Sequence, residues 1–431
     1  MLLLKNIDIL NCKKGIEKNL NIAIKDGIII DISNSVKDEF SDFEAIDCSG
    51  LLAVPSFVDI HTHLREPGFE YKETIASGAN AAKAGGFTDI CCMANTFPVV
   101  DNESIVKEII SKGKSTDINI YPIAAITKGL EGNTLTEFGH LIDAGAVAFS
   151  DDGVDIENSF LMKTAFEYAS FFNVPIFCHC EDRELADRGV MNDGIYSTLS
   201  GLRGIPSISE EISVFRNIKI AQYCNAPIHI CHVSTKGSVD IIRKAKEYFD
   251  KLTCETCPHY LTLTDRDVFK SNYNTNYKMN PPLRSEKDRD ELINALCEGI
   301  VDSISTDHAP HAEHEKMKEF EYAPFGIIGL ETAFPVLYSL VLENKISLNK
   351  LIEKMSLSPA KILNIKKDEL QENSIANITV VNLSLEKVYK KEDIVSKSKN
   401  SPFIGKKFKG WPVITICNGK IVYKNLTDKK D

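Results

Sequence analysis

Nothing in this 431-residue chain is long and apolar enough to suggest a membrane span: the longest such run, around Ala333 to Leu342, is about half of what a bilayer crossing needs. A signal-peptide core is missing as well, because Lys5 interrupts the N-terminal apolar stretch after four residues. No membrane partner is expected, and the protein is expected in the cytoplasm. There is no basic block ahead of the C-terminal region, and 50 Lys+Arg against 61 Asp+Glu leave a formal net charge of −11. Such a balance argues against a surface built to cover phosphates, so no nucleic-acid partner is expected. Low-complexity and collagen-like tracts are absent, since Gly and Pro are unbiased and the hydrophobic content is an ordinary 43%. Cysteine, by contrast, is plentiful. The twelve cysteines, without a secretory signal, read as reduced thiols, and Cys91, Cys92 and Cys231 fall inside apolar runs where Cys behaves as a small hydrophobe.

The two ends of the chain resemble each other more than they resemble the middle. Residues 1 to about 50 read as short strands with Asp26-Gly27 as a hairpin turn, and the last 60 or so residues repeat the pattern with Asn418-Gly419. From about residue 387 to 431 lysines outnumber acidic residues, which reads as a solvated face, with an anion-attracting patch as the alternative. Between the ends, eight short apolar segments alternate with helix-like stretches: VPSFVDI, DICCMA, INIYPIAAI, AVAFS, VPIFC, APIHI, LTCETC and VDSIS. Near-continuous apolar strands alternating with helices predict a parallel sheet covered on both faces, and eight of them predict a closed (β/α)₈ barrel. A doubly wound open sheet would carry a Gly-rich fingerprint after its first strand, and none is present. The expected division is a barrel over residues 54–365 and a small β-sandwich built jointly from residues 1–53 and 366–431.

Polar residues gather where these strands end. The first ends in His61-Thr62-His63-Leu64-Arg65, the second in Asn95, the fourth in Asp151-Asp152, the fifth in His179, the sixth in His232 and the eighth in Asp307-His308. All belong to the C-terminal mouth of the barrel, where that fold builds its chemistry. In a strand, residues i and i+2 share a face, so His61 and His63 can converge on one ion. Four imidazoles and two carboxylates exceed what one ion with an open position takes, and suit two. A pair of zinc ions needs an anionic bridge: Asp152 is the first choice and Asp151 the competitor, since alternation lets only one of them face the metals. Asp307 can bind one metal and carry a proton to a leaving nitrogen. Arg65 offers a fork for a carboxylate, and Asn95, Asn280 and His311 can complete a polar cradle. The charged segment from His311 to Phe325 reads equally as a lid or as a bare connection. The Cys254-x-x-Cys257 spacing lacks a second pair. His229 reads as a core histidine, His140 and His314 as surface residues, and the role of His259 stays open.

At these residues the chain resembles the dihydroorotases of the amidohydrolase superfamily, most closely the long bacterial class I type. The resemblance rests on His61 to Gly68, Met93 to Thr96, Ser150 to Gly153, His179 to Asp182, His232 to Ser234, Asn280 to Arg284, Thr306 to His311 and Pro324 to Gly326, in family order. It implies zinc-dependent, reversible opening of the cyclic amide of (S)-dihydroorotate to N-carbamoyl-L-aspartate, the third step of pyrimidine synthesis. His61, His63, Asp152, His179, His232 and Asp307 would be metal ligands for two zinc ions, with Asp307 the catalytic acid/base. His63, Arg65, Asn95, Asn280 and His311, with backbone groups of Phe325 and Gly326, would hold the substrate. It further implies a homo-oligomer and an association with aspartate carbamoyltransferase. Many relatives, the hydantoinases among them, bridge their metals with a carboxylated lysine from the fourth strand. Here AVAFSDD has no lysine, and the nearest is Lys128 after the third strand.

Overall fold

The computed structural model describes residues 1–426, so the last part of the lysine-rich stretch, residues 427–431, lies outside the described residues. Eight strands form one parallel sheet in strict chain order: Phe57–Thr62, Phe87–Cys92, Asn119–Ala124, Ala148–Phe149, Ile176–Cys178, Ile228–Ile230, Leu252–Thr256 and Ser303–Ile304. They are the eight apolar segments read from the sequence. The sheet curls until its edges nearly meet, and a parallel bridge between Thr62 and His308 links the first strand to the extension of the eighth. The His63 N–H donates to the His308 carbonyl at 2.8 Å across that seam. A cluster of Val58, Ile60, Cys91, Ile123, Ala148, Phe177 and Cys231 draws successive strands together, and Ala360 and Leu363 pack on it.

Several of the helices that follow the strands start on side-chain caps, which satisfy N–H groups that the first turn leaves bare. Thr74 and Ser77 make a capping box for the helix Ile75–Gly85, while Asn102 and Asn158 cap Glu103–Gly113 and Ser159–Phe172. The apolar faces of these helices bury against the outside of the barrel in one large core. Among the described residues no helix is long and apolar enough to cross a membrane.

The two chain ends build one mixed sheet. Its path runs Lys420–Lys424, Lys407–Cys417, Ile378–Val388, Leu52–Pro55, Leu2–Asn11, Gly15–Lys25, Ile28–Ser33, with Glu44–Asp47 also paired to Leu2–Asn11. Residues 327 positions apart are therefore direct neighbours: Val380 stands opposite Ala53 in an antiparallel pair. The strand Leu52–Pro55 belongs to this sheet and spans the position, 53/54, where the barrel was expected to begin. Both hairpin turns are the two-residue kind whose twist matches the strands, with positive φ at each central residue: 51° and 83° at Asp26 and Gly27, 49° and 77° at Asn418 and Gly419. The two turns also touch. A Cβ on Gly419 would lie 2.6 Å from the Gly27 Cα, so glycine is needed there for packing as well as for φ.

The C-terminal segment is tied to the barrel by a buried ion pair. The Lys367 Nζ donates to Asp89 Oδ2 at 2.7 Å, Ser56 Oγ at 2.6 Å and Thr88 Oγ1 at 2.9 Å, and both charged side chains are 2% exposed. Lys367 holds the Asp89 carboxyl below the usual range against the upward push of burial. Removing one partner of such a pair leaves an uncompensated buried charge. Lys367→Met is expected to lower the unfolding free energy by about 3–5 kcal/mol in a urea titration, with a smaller loss when Asp89 is replaced by Asn as well. An unchanged urea midpoint for Lys367→Met would remove this tie from the account of the fold.

Candidate metal and substrate site

Six side chains from five strand ends meet in the mouth of the barrel, and all six residues are buried: His61, His63, Asp152, His179, His232 and Asp307. The Asp152 carboxylate is at their centre. Its Oδ1 lies 3.5 Å from His61 Nε2, 3.7 Å from His179 Nδ1 and 3.5 Å from His232 Nε2, while its Oδ2 lies 3.4 Å from His63 Nε2. Asp307 Oδ1 is 3.0 Å from His63 Nε2 and 3.7 Å from His61 Nε2. His179 Nδ1 and His232 Nε2 are 2.9 Å apart. The donors thus fall into two halves, His61–His63–Asp307 and His179–His232, with one carboxylate between them. His61, His63 and Asp307 form one group with ligand atoms within 4.8 Å of one another, and His61, Asp152 and His232 form another.

Asp151 faces elsewhere. It accepts from the N–H groups of Ile126 at 2.8 Å and Thr127 at 3.0 Å, and from the Thr127 hydroxyl, so it fastens the loop after the third strand. Burial pushes its pKa up to about 6. Asp152 behaves in the opposite way: burial opposes ionisation, but His61, His179 and His232 hold its carboxyl well below the ordinary range. Asp307 is also held low against burial, by its contact with His63 and the nearby His61.

The strand ends turn sharply to aim these groups inward. Arg65, His232 and Asp307 have φ of 64°, 36° and 47°, a left-handed backbone that side chains rarely adopt. Each such position costs on the order of 1–3 kcal/mol, and such strain concentrates at functional sites.

The cavity beside the six groups has a volume of about 210 Å³ and is lined by His63, Arg65, Asn95, Asp152, Gly153, His179, His232, Asn280, Asp307, Ala309, His311, Phe325 and Gly326. Every residue assigned to the substrate from the sequence lines it. Arg65 is pinned by its Nε, which donates to the Pro310 carbonyl at 3.2 Å. Asn95 Oδ1 pairs with His63 Nδ1 at 2.8 Å, which leaves the Asn95 amide N–H groups for other partners. Burial and the charges of Arg65 and Lys316 depress the pKa of His311, so its ring is neutral, and its Nε2 donates to the Phe325 carbonyl at 2.7 Å. Both polar backbone groups of Gly326 are engaged: its N–H donates to Lys278 at 2.9 Å and its carbonyl accepts from Lys316 Nζ and Asn400 Nδ2. Gly326 therefore meets the cavity through its bare Cα.

Several residues that hold this arrangement were not read from the sequence. Glu255, in the seventh strand, accepts from His61 Nδ1 at 2.6 Å and is bonded by Ser305. This fixes the His61 tautomer with Nε2 facing the site. A carboxylate inside LTCETC was the available signal. Cys231 lies close enough to His61 and Glu255 to form a third group within the same 4.8 Å limit. Glu181 Oε1 accepts from Asn280 Nδ2 at 3.1 Å, so Asn280 turns its unpartnered Oδ1 outward from that pair. His229 is buried and meets the same Glu255 at 3.3 Å. His259 is buried too, and burial lowers its pKa to about 4. His140 and His314 are exposed, His314 stacking on Tyr71. Lys128 is exposed and does not line the cavity. Cys254 and Cys257 are buried thiols with raised pKa values.

The segment His311–Phe325 is anchored through Lys316 and Glu315. Lys316 is buried, and its Nζ donates to the carbonyls of Pro324 and Gly326, both at 2.9 Å. Glu315 pairs with Lys72 at 3.0 Å.

The sequence matches the family model described as Dihydro-orotase-like over residues 50–238. It is 47% identical over 425 residues to a dihydroorotase of Acetivibrio thermocellus, covering 98% of this chain and 99% of that one. A dihydroorotase of Geobacter sp. (strain M21) is 45% identical over 424 residues, covering 98% and 99%. In fold the chain is similar to the L-hydantoinase (dihydropyrimidinase) from Arthrobacter aurescens, with a TM-score of 0.87 at 24% identity, covering 98% of this chain and 96% of that one.

The Glu255 contact with His61 yields a test that does not depend on turnover. Glu255→Gln is expected to fold and to bind zinc about 10–100-fold more weakly than the parent, measured by competition with a chromogenic chelator. Parent-like affinity would show that Glu255 does not orient His61.

Proposed function

The chain belongs to the dihydroorotases, within the amidohydrolase superfamily, and catalyses reversible hydrolysis of the cyclic amide of dihydroorotate in pyrimidine biosynthesis; we propose that two zinc ions and the residues of the cavity carry it out. The placement of Asp152 between two groups of imidazoles is the observation that carries this reading. Buried His61 Nε2 and Asp152 Oδ1 have no hydrogen-bond partner within the protein, which is the condition a bound cation satisfies. Imidazole and carboxylate donors with an open side suit catalytic zinc. His61, His63, Asp152 and Asp307 would hold one ion, and Asp152, His179 and His232 the other. When bound, the cations acidify a water toward neutral pH and polarise the amide carbonyl.

The remaining work falls to side chains. Arg65, pinned by Pro310, presents its guanidinium to the substrate carboxylate, with Asn95 donating beside it through the amide that His63 leaves free. Asn280, its amide nitrogen held by Glu181, presents its oxygen to a ring N–H. The neutral His311 ring and the Phe325–Gly326 turn close the far side. Asp307 is ionised before the reaction, so it can take the proton of the attacking water and deliver it to the ring nitrogen as the amide opens.

The absence of a fourth-strand lysine and the presence of Arg65 and Asn95 favour the class I dihydroorotase pattern over a hydantoinase or allantoinase, whose substrates lack the carboxylate. A scaffold subunit without activity would be expected to have lost ligands, and all six are present. A cytoplasmic location is supported by the twelve cysteines, all free. Homo-oligomer formation is supported by the helix Ser207–Cys224, which exposes Ile208, Ile212 and Phe215 one turn apart on its outer face. Association with aspartate carbamoyltransferase follows from the family resemblance and is testable by co-sedimentation.

Purified protein with its zinc counted is expected to open dihydroorotate and to leave dihydrouracil and allantoin essentially untouched. Zinc-loaded protein inactive on dihydroorotate would sink the reading. Asp307→Asn should keep its zinc and its substrate affinity while kcat falls by roughly 10²–10⁴-fold. Arg65→Ala should instead raise KM by about 30-fold, equivalent to ~2 kcal/mol of a lost buried charge contact. Ring closure requires the neutral carboxylic acid of carbamoyl aspartate, a group with a pKa of about 4. The closing rate should therefore fall as pH rises while the opening rate climbs, and superimposable pH profiles for the two directions would exclude this account.

A further inference from the structure

We infer that Asn400, from the C-terminal segment, is a positioning residue that sets the substrate face of the site; the inference rests on the reading that His311 and the Phe325–Gly326 turn hold substrate. Asn400 is 3% exposed and spends its whole amide on backbone groups of that face. Its Oδ1 accepts the His311 N–H at 3.0 Å, and its Nδ2 donates to the Ala309 carbonyl at 3.0 Å and to the Gly326 carbonyl at 3.1 Å. Its own carbonyl accepts the Ile328 N–H at 2.9 Å. One side chain thus spans the two flanks of the segment 311–326, at the point where the His311 ring meets the Phe325 carbonyl.

Asparagine suits this place because one planar group supplies an acceptor and two donors. Aspartate has the same shape but would turn an anionic oxygen toward two carbonyls, and alanine would leave the His311 N–H and the Ala309 carbonyl without this partner and the Gly326 carbonyl with Lys316 alone. The junction has little slack. A Cβ at Gly326 would lie 2.7 Å from the Ala309 Cβ and 3.1 Å from His311 Nε2, so a shift of the turn is passed to the imidazole. Lys316 grips Gly326 and Pro324 independently, which keeps the segment folded when Asn400 is altered. Loss of Asn400 should therefore misplace the substrate contacts while leaving the metal ligands where they are.

Steady-state kinetics on Asn400→Ala, Asn400→Asp, His311→Ala and the Asn400→Ala/His311→Ala double variant test this, with zinc content and melting temperature measured for each. Both Asn400 variants should retain zinc and raise KM for dihydroorotate by about 10–100-fold, with kcat changed much less. The double variant should be far less impaired than the product of the two single effects, because Asn400 acts through His311. An unchanged KM in a folded Asn400 variant, or effects that multiply in the double variant, would overturn the inference. Should Asn400→Ala fail to fold, Asn400→Asp, which keeps the shape and the acceptor, carries the same two criteria; failure of both variants to fold would make Asn400 a structural residue and likewise overturn it. An unchanged KM in His311→Ala would instead overturn the underlying assignment of His311 to the substrate.

Discussion

Four imidazoles and two carboxylates share a buried space in which their ligand atoms stand 2.9 to 3.7 Å apart. Ionisable groups this close are costly to bury unless each charge meets a partner. The Asp152 carboxylate answers most of that cost, since both of its oxygens are within reach of imidazole nitrogens and none of the site's other groups can replace it. Around it, a second set of bonds keeps the rings from turning: Glu255 on His61, Asn95 on His63, and the strained backbone at His232 and Asp307. The barrel supplies the rigidity that makes such strain affordable, because every one of these residues leaves a strand or lies within a few residues of its end.

The site is asymmetric in how it is anchored. Its proposed metal side is built from the barrel strands, with partners drawn from other strands. Its proposed substrate side is built from segments that leave the barrel, anchored by Pro310 for Arg65, Glu181 for Asn280, and Lys316 and Asn400 for the turn at Gly326. The two proposed halves are thus held by different parts of the chain, one by the eight-strand sheet and the other by loops pinned to it.

The eight strands were legible because each is a short apolar run closed by a polar residue, and the ligand candidates because His61 and His63 share a strand and the others close apolar runs. The choice between Asp151 and Asp152 was open on spacing, and the geometry that separates them is a contact from Asp151 to Ile126 and Thr127, 25 and 24 residues away. Glu181, Glu255 and Asn400 were not legible as partners for a common reason. Each acts on a residue 74 to 194 positions distant, and nothing local marks the pairing. Glu255 at least stood out as a charge within an apolar strand, whereas Asn400 sits in a lysine- and serine-rich stretch that reads as surface. The engaged polar groups of Gly326 were likewise invisible, since a glycine's hydrogen bonds leave no trace in its identity.

The mixed sheet takes strands from both termini, and this orders events during synthesis. A ribosome that has released the first 330 residues has already emitted every strand of the barrel and all six candidate ligands, yet the sheet beside it still lacks its strands after Ile378 and the turn at Gly326 still lacks Asn400. The six candidate ligands are thus synthesised well before the side chain that completes the opposite face of the cavity. A chain that ends between the barrel and Asn400 would carry all six candidate ligands and lack the side chain that spans the flanks of the turn at Gly326.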